Sequence, residues 1–88
     1  MAEIIAVVGA ITTTSKLKTA LEKKGCLKCR IAHTPSKISL GGCSYSVYLS
    51  DNCYFLLLEE AKKCGINLKG VFRKYISNGE EFYDDLSG

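Results

Sequence analysis

Five cysteines, Cys26, Cys29, Cys43, Cys53 and Cys64, are the residues of this chain best suited to chemistry. Thiolates act as nucleophiles, bind soft metals and exchange disulfides. The count is odd, so the five cannot all pair with one another. Cys26-Leu27-Lys28-Cys29 is a C-x-x-C, but it stands where a helix ends and a strand begins. A thioredoxin-type motif has the opposite polarity and opens a helix. A four-thiolate zinc site asks for a second close pair, and Cys53 and Cys64 are 11 residues apart. Cys43 differs from the rest. It follows Gly41 and Gly42 and precedes Ser44 in a stretch with the composition of a loop, where backbone can approach a ligand closely.

The elements that must position these thiols follow from hydrophobic spacing. Glu3–Val8 is a short β-branched run before Gly9, as expected of a buried central strand. Thr12–Ser15 offers helix caps, and Leu17, Ala20 and Leu21 give a helical stripe that Gly25 can end. Residues 27–34 read as a second strand stopped by Pro35, and Ser44–Leu49 as a third, with Tyr45, Val47 and Leu49 on one face. A second helix is predicted over residues 52–64, with Tyr54, Leu57, Leu58, Ala61 and Cys64 as its apolar stripe. Val71–Ile76 reads as the fourth strand.

The order β-α-β-β-α-β predicts a ferredoxin-like α+β sandwich, an antiparallel sheet with two helices on one face and strand order 4-1-3-2. Residues 1–76 form the single domain in this reading, and 77–88 an acidic, mobile C-terminal tail. Residues 1–76 hold all 12 Lys and Arg and five acids, a net +7, while 77–88 hold four acids, a net −4.

In that topology the end of strand 1 lies beside the start of strand 3. Cys43, Gly41 and Gly42 are therefore expected to face residues 9–15 and the N-terminus of helix 1. Free N–H groups there, with Thr14, Ser15, Lys16 and Lys37, would favour a thiolate. Cys53 is expected at the opposite edge with Cys26 and Cys29, where a metal or redox site is an alternative. Cys64 is expected in the core. His33 and Tyr45 or Tyr48 are further candidates, as a base near Cys43 and as a stacking platform. The RNA-binding strand signature and the Walker loop are both absent.

The segment Thr34-Pro35-x-x-Ile38-Ser39 leading to Cys43, with Gly25 and the closing Gly70-Val71-Phe72-Arg73, resembles a sulfur/selenium carrier-like family of small bacterial proteins over about residues 3–76. The chain differs from that pattern in Ser36 for Arg, in one extra residue between Ile38 and Cys43, and in Ser44 for Gly. The resemblance implies that Cys43 carries a persulfide or selenium adduct for transfer between a donor and an acceptor protein. Thr34, Pro35, Lys37, Ile38, Ser39, Gly41, Gly42 and Ser44 would form the supporting loop.

The reading is thus a carrier rather than a stand-alone enzyme, with no cofactor. The alternative is a non-catalytic domain that binds an acidic protein or nucleic acid, the nucleic acid being disfavoured. A bare sheet face would suit a homodimer. No apolar run approaches the ~20 residues that span a bilayer, and no leader pattern opens the chain, so a cytoplasmic location is expected.

Overall fold

The computed structural model describes residues 2–38 and 44–86. The elements are β1 (Glu3–Gly9), α1 (Ile11–Lys23), β2 (Arg30–His33), β3 (Tyr45–Ser50), a 3-10 turn (Asp51–Cys53), α2 (Tyr54–Lys63), β4 (Gly70–Ser77) and β5 (Glu80–Asp85). All pairings are antiparallel, and the sheet order is β2-β3-β1-β4-β5. The chain is therefore an α+β fold. It departs from a four-stranded ferredoxin-like sheet by the strand added beyond β4.

Alternation along the central strand builds two cores. Ile4, Ala6 and Val8 point to one face, where Leu17 and Leu21 of α1 and Leu57 and Ala61 of α2 cover them. Both helices thus lie on one face. Ile5 and Val7 point to the other, where they meet Tyr48, Ile38, Phe72 and Tyr83. That second face is not bare, because Ile38 folds back onto it from the segment after β2.

Both helices end as glycine permits. Gly25 and Gly65 take positive φ values of 101° and 67°. Each lets the next residue reach back to the helix: the Cys26 N–H donates to the Leu21 carbonyl and the Ile66 N–H to that of Ala61. This is the Schellman arrangement, and it drives Cys26 and Ile66 inward. The start of α1 differs from the expected cap. Ala10 is the N-cap and makes no side-chain cap bond. Thr14 is instead a buried helical residue whose hydroxyl donates to the Ala10 carbonyl.

β2 is shorter than predicted, because Leu27 and Lys28 form a turn before it. Reading the sheet as ending at Ile76 misses β5. Asn78 and Gly79 both have positive φ, 53° and 79°, as a two-residue type I′ hairpin requires. Glu80–Asp85 then pair with β4 from Ser77 back to Phe72. The acidic segment lies against basic residues: Lys74 bonds Glu81 at 2.8 Å, and Arg73 stands opposite Asp84.

Candidate functional site

The register places the end of β1 against the start of β3, with Gly9 opposite Tyr45 beyond a bulge after Val7. α1 begins two residues after Gly9, and its first N–H groups have no helical carbonyl to bond. Ser44, the residue after Cys43, sits at this end. Its carbonyl accepts from the Thr34 N–H at 2.9 Å. Its hydroxyl donates to Thr34 Oγ1 at 2.8 Å, and Thr34 Oγ1 shares a further bond of 2.6 Å with Ser46 Oγ. Ser46 is fully buried. A chain of three hydroxyls thus ties the end of β2 to the segment that leaves residue 43. Cys43, with Ser39, Gly41 and Gly42, lies outside the described residues.

Pro35 starts a turn that closes with the Ile38 N–H on its carbonyl at 3.1 Å. Ile38 is the buried anchor of that turn, whereas Lys37 is exposed. Glu81 is held below the usual carboxylate range by Lys74, with Lys37 adding a smaller share. The Lys37 charge is therefore felt on the β5 side of the sheet.

Of the three predicted anion-stabilising residues, Thr14 is committed to the helix backbone. Ser15 and Lys16, the next two residues, line a groove between α1 and α2 with Glu60 and Cys64. Cys64 is accordingly half-buried at that groove rather than in the core. Two residues escaped the sequence reading. Ser46 completes the hydroxyl chain, and its signal was only its place on an alternating strand. Lys69 lies across Gly9, where a Cβ would stand 3.1 Å from its Nζ, so its ammonium sits at the end of β1 that faces Tyr45.

His33 and Tyr45 face each other across β2 and β3 with stacked rings, centroids 4.6 Å apart. Tyr48 is not a platform for a base. It is buried, Arg30 covers its ring at 4.2 Å, and its hydroxyl donates to the His33 carbonyl.

At the opposite edge Cys26, Cys29 and Cys53 come together as the topology predicts. Cys29 Sγ donates to the Cys26 carbonyl at 3.1 Å. Cys53 packs on the core cluster that contains the other two. Among the described residues, however, no group of three His, Cys, Asp or Glu side chains is arranged to hold a metal. Burial pushes the Cys26 thiol well up, with the Cys53 and Cys29 sulfurs adding to it. Burial, then the Glu22 charge, raises Cys29.

Raised values mean that the folded state keeps its protons longer than the unfolded chain. Their contribution is whole below the ordinary thiol value of 9.0 and is lost as pH climbs above it. Thermal unfolding is therefore expected to fall in midpoint from pH 9 upward under reducing conditions. A Cys26→Ala/Cys29→Ala variant is expected to lose that slope, and an unchanged slope would refute the assignment.

No helix among the described residues is long and apolar enough to cross a membrane. A family model described as putative Se/S carrier protein-like matches residues 3–73, from the start of β1 into β4. No curated protein matches the chain. The matched span takes in both helices, the hydroxyl chain and the segment that holds Cys43, and on that match the chain belongs to the Se/S carrier protein-like family.

Proposed function

We propose that the protein carries sulfur or selenium as an adduct on Cys43, received from a donor protein and passed to an acceptor. The family match over residues 3–73, a span that includes Cys43, carries this reading. Three structural features support it. The hydroxyl chain of Ser44, Thr34 and Ser46 fixes one end of the cysteine segment. The N-terminus of α1 opens toward the same end of the sheet, where a helix favours negative charge. Lys69 supplies a cation there.

The transfer needs no net oxidation. The Cys43 thiolate attacks the outer sulfur of a donor persulfide, the donor thiolate leaves, and Cys43 holds the persulfide. An acceptor thiolate repeats the exchange in the forward direction. A group that must both load and unload needs an accessible nucleophile, whereas Cys26 and Cys29 are buried.

Incubation with a small-molecule persulfide donor, followed by intact-mass spectrometry, is expected to add one sulfur atom per chain. The adduct should vanish in Cys43→Ser and survive in Cys64→Ser. Sulfur spread evenly over the exposed thiols, or retained in Cys43→Ser, would refute the reading.

A further inference from the structure

The groove between α1 and α2 has a volume of about 510 Å³, within the size range of small-molecule sites. α1 lines it with Lys16, Ala20 and Lys23, a spacing that sets three side chains on one helical stripe. Ala20, between the two lysines, contributes only a methyl group. α2 lines it with Glu60 and, four residues on, with Cys64 at its C-cap.

Glu60 is the anomaly in this groove. It is 5% exposed, and among the described residues it is the one charged side chain that is buried. The buried hydroxyls of Thr14 and Ser46 both have partners. Glu60 Oε2 is buried as well, yet no donor among the described residues bonds it. Lys63 Nζ stands 3.6 Å away, beyond hydrogen-bond length, and is already bonded to Glu59 at 3.0 Å. A carboxylate oxygen taken from water without a donor is a cost to the fold. A ligand that brings a donor and a positive charge offsets that cost.

We propose that this groove binds a small zwitterion, of the size of an amino acid or a dipeptide, with its ammonium on Glu60 and its carboxylate toward Lys16 and Lys23. An ammonium supplies three donors and the missing countercharge. The two lysines select against a ligand that is only cationic, and Glu60 against one that is only anionic. A molecule with both groups satisfies both walls. Lys16 and Lys23 are exposed, so water screens them and they discriminate more than they hold. Glu60, being buried, supplies the larger share of the affinity. No step uses a thiol, so the site is independent of what Cys43 carries.

The test is a titration followed by amide NMR, run in the wild type and in Cys43→Ser. The probes are free L-phenylalanine, alanyl-phenylalanine, phenethylamine, which lacks the carboxylate, and hydrocinnamate, which lacks the ammonium. At least one zwitterion is expected to shift the amides of Ser15, Ala20, Glu60 and Cys64 saturably in both proteins. The tighter of the two reports the length of ligand that fits. The amine and the acid should each bind about tenfold more weakly. Glu60→Gln keeps the size of the side chain and should weaken the zwitterion by a similar factor. Lys16→Ala/Lys23→Ala changes only exposed residues and should bring the amine and the zwitterion to nearly equal affinity. Zwitterions that cause no saturable shift, that bind no tighter than the amine or the acid, or that bind Glu60→Gln as well as the wild type would overturn the proposal.

Discussion

Replacing Thr34 by valine is expected to destabilise the fold by about 1–3 kcal/mol and to slow loading of Cys43. Valine keeps the shape and the β-branched preference of threonine, and the backbone bond from residue 34 to the Ser44 carbonyl does not need the side chain. What is lost is the oxygen at the centre of the hydroxyl chain. Ser46 is fully buried and loses its 2.6 Å partner there, and Ser44 loses the acceptor of its own hydroxyl. A buried hydroxyl without a partner costs its full desolvation, so the damage exceeds the worth of one bond. Adding Ser46→Ala should then recover part of the loss, because the stranded group is gone. Urea unfolding checks this as a fall in midpoint at constant slope. Thr34→Ser, which keeps the oxygen, should load persulfide at close to the wild-type rate. A Thr34→Val midpoint equal to the wild type would show that the hydroxyl chain holds nothing.

This chain of hydroxyls shows what sequence spacing reveals and what it hides. Thr34 and Ser44 stand out because they bracket the loop that contains Cys43, and the strand register brings them within one hydrogen bond of each other. Ser46 sits at an alternating position like any solvent-facing residue, yet it is fully buried on the face that Ile38 and Tyr48 share. Gly25 was readable because a helix stripe followed by glycine admits few endings. The gathering of Cys53 with Cys26 was readable for a similar reason, since the element order puts both on one edge.

Thr12–Ser15 misled because cap-forming residues are equally content in a first turn when one of them bonds back four residues, as Thr14 does to Ala10. Lys69 lies 60 residues from Gly9 in sequence, and no local pattern announces that its side chain crosses that glycine.

Deleting residues 78–88 is expected to have the larger effect of the two changes argued here, a loss of roughly 3 kcal/mol or more from side-chain burial alone. The acidic composition of this segment reads as a solvated tail, yet its alternation places Tyr83 on the sheet face shared with Ile5, Val7 and Phe72. Leu86 packs on the opposite core, and its N–H donates to the Val71 carbonyl at 2.7 Å. Removing the strand uncovers both cores at once and strips β4 of its neighbour from Phe72 to Ser77. It also frees Lys74 from Glu81, whose pairing raises the one and lowers the other. That surface pair adds little, so the cost is predicted to be nearly independent of salt. β4 would become an edge with unpaired N–H and C=O groups and an exposed Val71, and such edges pair with other chains.

The truncated protein is therefore expected to melt well below the full chain and to associate as its concentration rises, which calorimetry and sedimentation can follow. A truncated chain that stays monomeric and melts with the full one would mean that β5 contributes nothing to the fold. A separate test keeps residues 78–88 and changes only the turn. Gly79→Val should weaken the same strand, because a β-branched residue resists the φ of 79° found there. The two variants should lose stability in the same order as the amount of β5 pairing each removes.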